Sequence, residues 1–437
     1  MTSMMEKYRE ILKNQKFSQA IGTIDRIVGL RIESVGPIGN IGDLCLIEKS
    51  SNSEMIQCEI IGFDKNKVLL MPITSTEGLG YGDRVINTGG PVQIRVSPMM
   101  VGRVIDALGR PLDGKGELTG GEMVSLKGKP SNPFDRPRID EPINLKIKAI
   151  DGLLTMGKGQ RMGIFSGSGV GKSTLLGMIA RNVEADINVI ALVGERGREV
   201  NEFLQRDLKE DGLARSIVVV ATSDQPAMMR SKCALMATAI AEVFRDQGKD
   251  VLLMMDSLTR FAMAEREIGL SAGESPISRG YTPSIYASLP RLLERAGRFK
   301  TGSITGLYTI LVEGDDDNEP ISDTVRGILD GHVMLTRKKA MKNHFPAIDV
   351  LASISRLMND ITEDKQRKSA GRLRSLLSVI EENEDLVSIG AYKAGSNPLL
   401  DEALRKNSAI QQFLKQGVDE SVDVEQTLNA MERIVNG

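Results

Sequence analysis

One eight-residue segment limits the possible folds more than any other part of this 437-residue chain. It reads SGSGVGKS from Ser166 to Ser173 and lies between an apolar stretch and a segment with helical spacing. Glycines in such a loop let backbone N–H groups face inward and surround phosphate oxygens, and the following helix adds the positive end of its dipole. The pattern predicts a phosphate-binding loop (P-loop). The residues predicted to bind the nucleotide there are Gly167, Ser168, Gly169, Val170, Gly171, Lys172, Ser173 and Thr174.

Two side chains of this loop have predicted chemical roles. Lys172 is expected to reach the β- and γ-phosphates, and the hydroxyl of Ser173 is expected to ligate Mg²⁺. Ser166 stands where the strict pattern has its first glycine, and a small residue is compatible with the loop. The alternative is a glycine-rich strand-to-helix turn that contains Lys-Ser by chance.

The segments around this loop alternate between strand and helix. Near-continuous apolar strands separated by helices predict a parallel sheet covered on both faces, as in an α/β fold. The predicted strands are Arg161 to Phe165, Asn188 to Val193, Ile217 to Ala221, Val251 to Met255 and Ser303 to Val312. The predicted helices are Ser173 to Arg181, Glu199 to Lys209 and Pro226 to Gln247.

An acidic residue ends one of these strands. Asp256 follows the apolar run from Val251, and carboxyl ends of parallel strands meet at one edge of a sheet. Together with the P-loop, this position predicts a second Mg²⁺ ligand. Taken alone, an acid at a strand end is also typical of a turn or a helix N-cap.

Composition excludes several other classes of protein. The 56 basic and 58 acidic residues give a net charge of −2, and aromatic residues reach only 4%. A nucleic-acid partner is therefore not expected. Three cysteines do not form a disulfide framework, and no apolar run approaches the length of a membrane helix. The expected location is the cytoplasm.

The chain divides into four predicted parts. Residues 1–17 favour an amphipathic helix with Met5, Tyr8 and Leu12 on its apolar side, which either docks on a partner or packs on its own domain. Residues 18–95 favour a small β-barrel, including a hairpin around the loop from Asp64 to Lys67. Residues 96–358 form the nucleotide-binding domain, and residues 359–437 have helical spacing without strands.

Several motifs in this chain resemble one superfamily, the rotary ATPases that include the ATP synthase β subunit. Those motifs are Arg103 to Pro111, Ala149 to Thr155, Val193 to Glu199, Asp256 to Arg260 and Pro346 to Arg356. The segments from Arg279 to Ser284, Leu289 to Gly297 and Leu311 to Pro320 resemble its type III secretion branch. The chain is identified as a member of the flagellar and type III export ATPases, with the flagellar branch preferred. The resemblance covers residues 20–437 and implies a RecA-like P-loop core.

The resemblance implies roles for three residues beside the P-loop. Glu195 corresponds to the general base that positions water, although an acid near a helix start is common on its own. Arg196 and Arg260 correspond to residues on the phosphate side of the site. These assignments come from the motifs and not from the spacing of the residues.

Three further residues are assigned in the same way. Arg356 corresponds to an arginine finger that acts in the site of a neighbouring subunit; without the resemblance it would be a surface cation. Phe345 corresponds to an aromatic residue that stacks on adenine, and core packing is its alternative. Tyr392 is a second candidate for contact with the adenine, from the helical domain.

The resemblance also implies an overall function. A homohexameric ring would hydrolyse Mg-ATP to energise flagellar or type III protein export at the inner face of the cell membrane. Implied partners are a stator-like regulatory protein bound through the N-terminal helix, a central stalk protein, export substrates with their chaperones, and the export gate. Alternatives are a non-catalytic nucleotide-binding subunit, a subunit of a rotary ATP synthase, and a Rho-like RNA translocase.

Overall fold

The computed structural model of the protein describes residues 20–128, 132–312 and 319–437. The predicted helix over residues 1–17, with Met5, Tyr8 and Leu12, lies outside the described residues. The acidic run of residues 313–317 lies outside them as well. Within the described ranges, no helix is long and apolar enough to cross a membrane.

The first part of the described chain is a closed six-stranded barrel. Its strands are β1 (Ile21–Val28), β2 (Arg31–Val35), β3 (Asp43–Glu48), β4 (Met55–Asp64), β5 (Lys67–Pro72) and β6 (Arg84–Pro91). They pair in the order β1-β2-β5-β4-β3-β6. Asp64 pairs with Lys67 across a two-residue loop, which confirms the predicted hairpin.

The central sheet carries the other long strands. The remaining strands in chain order are β7 (Gln93–Val96), β8 (Val104–Asp106), β9 (Glu122–Ser125), β10 (Pro142–Ile143), β11 (Met156–Gly157), β12 (Arg161–Ser166), β13 (Ile187–Glu195), β14 (Ser216–Thr222), β15 (Asp250–Asp256), β16 (Gly297–Arg298), β17 (Ser303–Leu311), β18 (Gly331–Leu335) and β19 (Ile348–Ser355). The sheet order is β19-β18-β12-β17-β15-β13-β14-β8, with β16 paired to β17. From β18 to β8 the strands run parallel, so their carboxyl ends share one edge.

Helices cover both faces of this sheet and form the C-terminal part. They are α1 (Lys148–Leu153), α2 (Lys172–Asn182), α3 (Gly197–Glu202), α4 (Lys209–Ala214), α5 (Ala227–Asp246), α6 (Leu258–Ala272), α7 (Pro283–Leu293), α8 (Pro320–Ile328), α9 (Arg337–Met341), α10 (Met358–Ile361), α11 (Asp364–Glu382), α12 (Glu384–Ser388), α13 (Pro398–Leu414) and α14 (Val424–Asn436). A π-helical turn, Phe203–Leu208, joins α3 to α4. Every residue of β13 is buried, as the sequence predicts for a strand between two helical layers.

The barrel and the central sheet share one apolar core. Met71 and Ile73 of the barrel belong to the same buried cluster as Val189 of β13 and Ile240 of α5. The contact also contains an ion pair between Lys232 and Glu59. The barrel is therefore packed directly against the nucleotide-binding domain.

Candidate nucleotide-binding site

The P-loop lies where the sequence predicts it, between β12 and α2. Gly169 has φ +76° and Gly171 has φ +85°, backbone conformations that favour glycine. Gly171 precedes the first residue of α2, so the N-terminus of this helix opens at the loop. The loop therefore presents backbone N–H groups and a helix dipole to the same place.

Lys172 and Asp256 form an ion pair across the carboxyl edge of the sheet. Asp256 is the last residue of β15, and its side chain is only 5% exposed. The hydroxyl of Thr309, on β17, donates a hydrogen bond to Asp256 Oδ1 at 2.8 Å. The P-loop lysine is therefore held by the acid that the sequence predicts as a metal ligand.

Glu195 completes a cluster of charges around this pair. It ends β13, the neighbour of β15, and its Oε1 lies 4.0 Å from Lys172 Nζ and 3.6 Å from Arg260 Nε. Burial, helped by the negative charge of Asp256, raises the pKa of Glu195 from 4.5 to about 7. Among the described residues, Oε1 of this carboxyl is buried and has no hydrogen-bond partner. A free acceptor beside the P-loop lysine is suited to orienting a water molecule.

Arg260 is positioned by the start of α6. Ser257, the N-cap of that helix, accepts a hydrogen bond from the backbone N–H of Arg260. The Arg260 side chain packs so closely over Gly194 that a Cβ at this glycine would lie 2.9 Å from Arg260 Cδ. The glycine before Glu195 therefore makes room for an arginine on the same side as the predicted phosphates.

The oxygen donors at this edge fit a magnesium ion. Mg²⁺ prefers oxygen ligands and is usually held by one or two protein groups together with substrate phosphates and water. The Ser173 hydroxyl and the Asp256 carboxylate provide two such groups. Within the described ranges no group of three or more His, Cys, Asp or Glu side chains is placed to hold a metal ion.

The connection between β18 and β19 covers both ends of the P-loop. At one end, Phe345 lies against Gly171, with its Cδ1 3.4 Å from the position of a Cβ there. At the other end, a Cβ on Gly167 would lie 3.2 Å from Arg337 Nε. Arg337 makes no ion pair with any described residue, and none of the sequence motifs includes it. Only the fold reveals that Arg337 lies near the P-loop, because this depends on β18 lying next to β12.

Two predicted residues lie away from the Lys172 cluster. The Arg196 side chain is 75% exposed and pairs with Glu199 at 3.6 Å. The Tyr392 hydroxyl donates a hydrogen bond to Asp401 Oδ1 at 2.8 Å and also contacts the backbone of Asn397. Local contacts thus account for the Tyr392 hydroxyl, and both assigned roles stay predictions.

Arg356 lies at the opposite edge of the sheet from its own P-loop. It follows β19, which runs antiparallel to β18, and its backbone N–H donates to Asp330 O at 3.0 Å. Asp330 in turn binds Arg161, the first residue of β12, whereas the P-loop follows the last residue of that strand. The length of β12 separates the two places by about 16 Å. Arg356 is exposed there, and its Nη2 donates a hydrogen bond to Arg326 O at 3.4 Å.

Fold and site together define a P-loop nucleotide-binding protein. Three family descriptions match successive parts of the chain. They are the ATP synthase alpha/beta family β-barrel domain over residues 24–89, the nucleotide-binding domain of that family over residues 146–355, and the T3SS EscN ATPase C-terminal domain over residues 362–433.

Individual relatives narrow this class. The chain is 55% identical to a flagellum-specific ATP synthase of Bacillus subtilis, with 94% of each chain covered. It is 48% identical to a type 3 secretion system ATPase of Xanthomonas euvesicatoria over 95% of this chain and 94% of the relative. The assembled ATPase EscN of enteropathogenic E. coli superposes with a TM-score of 0.89 at 44% identity, over 95% of this chain and all of EscN. The chain belongs to the family of flagellar and type III secretion ATPases.

Proposed function

We propose that this chain is the ATPase that energises flagellar protein export, and that it hydrolyses Mg-ATP at the site around Lys172. The observation that carries the chemistry is the desolvated Glu195 carboxyl, with a free Oε1 4.0 Å from the P-loop lysine. Its pKa near 7 matches neutral pH, where a general base of this kind works best.

The chain's own residues have distinct roles in this reaction. Lys172 exchanges its contact with Asp256 for the β- and γ-phosphates, and the P-loop N–H groups hold the same oxygens. Glu195 orients a water molecule towards the γ-phosphorus. The water oxygen bonds to phosphorus as the bond to the bridging oxygen breaks, which gives ADP and phosphate. Ser173 and Asp256 would hold Mg²⁺, which would offset charge on the phosphates.

Binding residues are proposed on both sides of the triphosphate. Phe345 stacks on the adenine, since it lies against Gly171 at the end of the P-loop nearest α2. Arg337 holds the other end of the loop through its contact with Gly167. Arg260 and Arg196 contribute positive charge on the γ-phosphate side, and Tyr392 approaches the adenine from the helical domain.

Arg356 is proposed to act in the site of a neighbouring copy. The geometry supports this role, because an exposed arginine at the far edge of the sheet cannot reach the P-loop of its own chain. Head-to-tail contacts that place Arg356 against the next P-loop generate a closed ring, for which we propose six copies. Such a finger raises the rate of phosphoryl transfer by about 10³ to 10⁵.

The partners of the ring are proposed from the relatives. Two solved EscN structures are described as assembled, and one of them contains its central stalk EscO. We propose that this chain also assembles and binds a central stalk. Its further partners are proposed to be a stator-like protein, export substrates with chaperones, and an export gate at the inner face of the membrane.

A mixing experiment tests the shared site. Arg356→Ala is expected to bind nucleotide normally and to lose at least about 10³-fold in turnover, while Lys172→Ala loses nucleotide binding in its own site. Mixed rings of the two variants contain sites with both residues intact and therefore recover phosphate release. Arg433→Ala, which removes an exposed arginine from α14, is the matched control and keeps wild-type turnover. Wild-type turnover in Arg356→Ala, or no recovery on mixing, contradicts the proposal.

A cellular test separates the two export systems. A strain without this gene is expected to lose flagellar filaments and swimming, and to regain them with the wild-type gene but not with Glu195→Gln. Normal filaments in the deletion strain would contradict the flagellar assignment.

A further inference from the structure

A cavity of about 480 Å³ lies between the nucleotide-binding domain and the helical domain. One wall comes from the segment between β18 and β19, and the other comes from helices α11 to α13. We call this space the joint cavity. Its apolar lining includes Leu377, Leu404 and Leu414. Neither the P-loop nor Phe345 lines it, so it is separate from the candidate nucleotide site.

Two polar atoms in the lining have no partner among the described residues. His344 is only 4% exposed, and its Nε2 is buried without a hydrogen bond. The hydroxyl of Thr336 is buried in the same way. Nearly all buried polar atoms in proteins are paired, so two orphans around one cavity indicate that something polar occupies it.

The charges in the lining favour an anion. Lys339 and Lys415 form no ion pair within the described ranges. Burial, together with the positive charges of these two lysines, lowers the pKa of His344 to about 4, although a hydrogen bond between its ring and Gln411 acts in the other direction. Two further lysines, Lys338 and Lys342, are both bound to Glu384 at the cavity.

The two other carboxylates of the lining do not neutralise the free lysines. Asp349 accepts hydrogen bonds from the backbone N–H groups of Leu351 and Ala352, and Glu381 pairs with no described cation. Four lysines against three carboxylates leave the lining positive. Besides Glu381, the groups of the lining without an ion pair or hydrogen bond among the described residues are the ammonium groups of Lys339 and Lys415, the Thr336 hydroxyl and His344 Nε2.

We propose that the joint cavity binds a small phosphate dianion, either inorganic phosphate or a phosphate monoester. Lys339 and Lys415 supply charge, and Thr336 Oγ1 donates a hydrogen bond to a phosphate oxygen, beside the buried ring of His344. The volume exceeds that of inorganic phosphate, and the apolar wall accommodates the organic part of an ester. The site would lie beside the contact between the domains, where the backbone N–H of Gln416 donates to Phe345 O at 3.0 Å.

The test uses the two histidines of the chain as reporters. The full-length protein with ¹³C-labelled histidine is titrated with inorganic phosphate and, separately, with glycerol 3-phosphate, while the Cε1–H signals are followed by NMR. We expect a saturable shift of the His344 signal and no comparable shift for His332. The ligand that binds more tightly identifies inorganic phosphate or the ester as the better occupant.

Paired variants locate the response. Lys339→Gln combined with Lys415→Gln should weaken binding at least about tenfold, because two charge-assisted contacts are lost. Lys365→Gln combined with Lys368→Gln, the matched control, removes two exposed lysines of α11 that do not line the cavity and should change it less than about threefold. Lys172→Ala should leave the response in place, since it removes phosphate binding only at the P-loop.

Three results would overturn the proposal. An unmoved His344 signal with both ligands means that the cavity holds water only. Loss of the shift in Lys172→Ala means that His344 reports the P-loop. Equal binding by wild type and by the Lys339/Lys415 double variant, with both proteins folded by circular dichroism, means that the lysines do not hold the anion.

Discussion

The raised pKa of Glu195 makes the rate of ATP hydrolysis depend on pH in a defined direction. The carboxyl must be ionised to orient water, and its pKa is about 7 because of burial and the charge of Asp256. Such a group is about 10% ionised at pH 6 and about 90% ionised at pH 8. We therefore expect kcat/KM to rise about tenfold from pH 6 to pH 8 and then to level off.

The assay is steady-state phosphate release with free Mg²⁺ held in excess at every pH. Glu195→Gln should lower kcat/KM by about 10² to 10⁴ and should remove the rise with pH. Glu202→Gln, which removes a half-exposed carboxyl from the adjoining helix α3, is the matched control and should keep the wild-type profile. Binding of a fluorescent ADP analogue to each variant shows that the nucleotide site is intact.

The same pKa has a consequence for stability with a fixed sign. The folded state holds the Glu195 proton up to about pH 7, whereas the unfolded chain loses it near 4.5, so this group lowers the stability as pH rises through that window. The difference between these two pKa values corresponds to a loss of about 3 kcal/mol, at most, in the free energy of unfolding. Glu195→Gln should therefore raise the melting temperature at pH 8 but not at pH 4.5. A flat kcat/KM profile between pH 6 and 8, or the same rise in the Gln variant, would refute the role of this carboxyl.

Three further predictions concern other parts of the molecule. Phe345→Ala should weaken ATP binding by about 1 to 3 kcal/mol, because its stacking on the adenine is lost. Tyr392→Phe should leave ATP binding unchanged, because the Tyr392 hydroxyl is bound to Asp401. Equilibrium titration with ATP measures both affinities, and an unchanged affinity in the alanine variant would exclude stacking. Arg337→Gln should raise the KM for ATP about tenfold with a smaller change in kcat, and an unaltered KM would leave this arginine without a part in binding. Arg295→Ala breaks the ion pair with Glu242, whose side chains are 8% and 13% exposed, and should lower the free energy of unfolding by about 3 to 5 kcal/mol. Arg84→Ala breaks an exposed ion pair with Glu48 and should lower it by less than about 1 kcal/mol. Urea unfolding measures both losses, and equal losses would contradict the argument from burial.

The sequence allowed the sheet and the P-loop to be predicted, because both depend on local patterns. All five predicted strands of the central sheet are present, and Asp256 ends its strand beside the loop as expected. The side chain of Asn397 caps α13 by accepting hydrogen bonds from the N–H groups of Leu399 and Leu400, and Pro398 is the first helical residue, which is a local pattern of the same kind. Short-range signals of this kind survive without knowledge of the tertiary structure.

Other features depend on which segments meet in space. Strands β18 and β19, of five and eight residues, were not predicted, and the contact of Arg337 with the P-loop follows from their position. The helix predicted from Glu199 to Lys209 is interrupted by a π-helical turn from residue 203, where Asp207 O would lie 2.5 Å from a Cβ at Gly177. The burial of Glu195, which raises the pKa of its carboxyl, also results from tertiary packing, and no local sequence pattern predicts it.

The common core of barrel and central sheet has a consequence for how the protein comes apart. Met71 and Ile73 are buried in the cluster that the barrel shares with the neighbouring domain, so neither unit can unfold without exposing apolar surface of the other. Heating should consequently unfold the barrel and the central sheet in one cooperative transition rather than two. Because the barrel and the central sheet share this core, a force applied to the barrel is transmitted to the sheet that carries the P-loop.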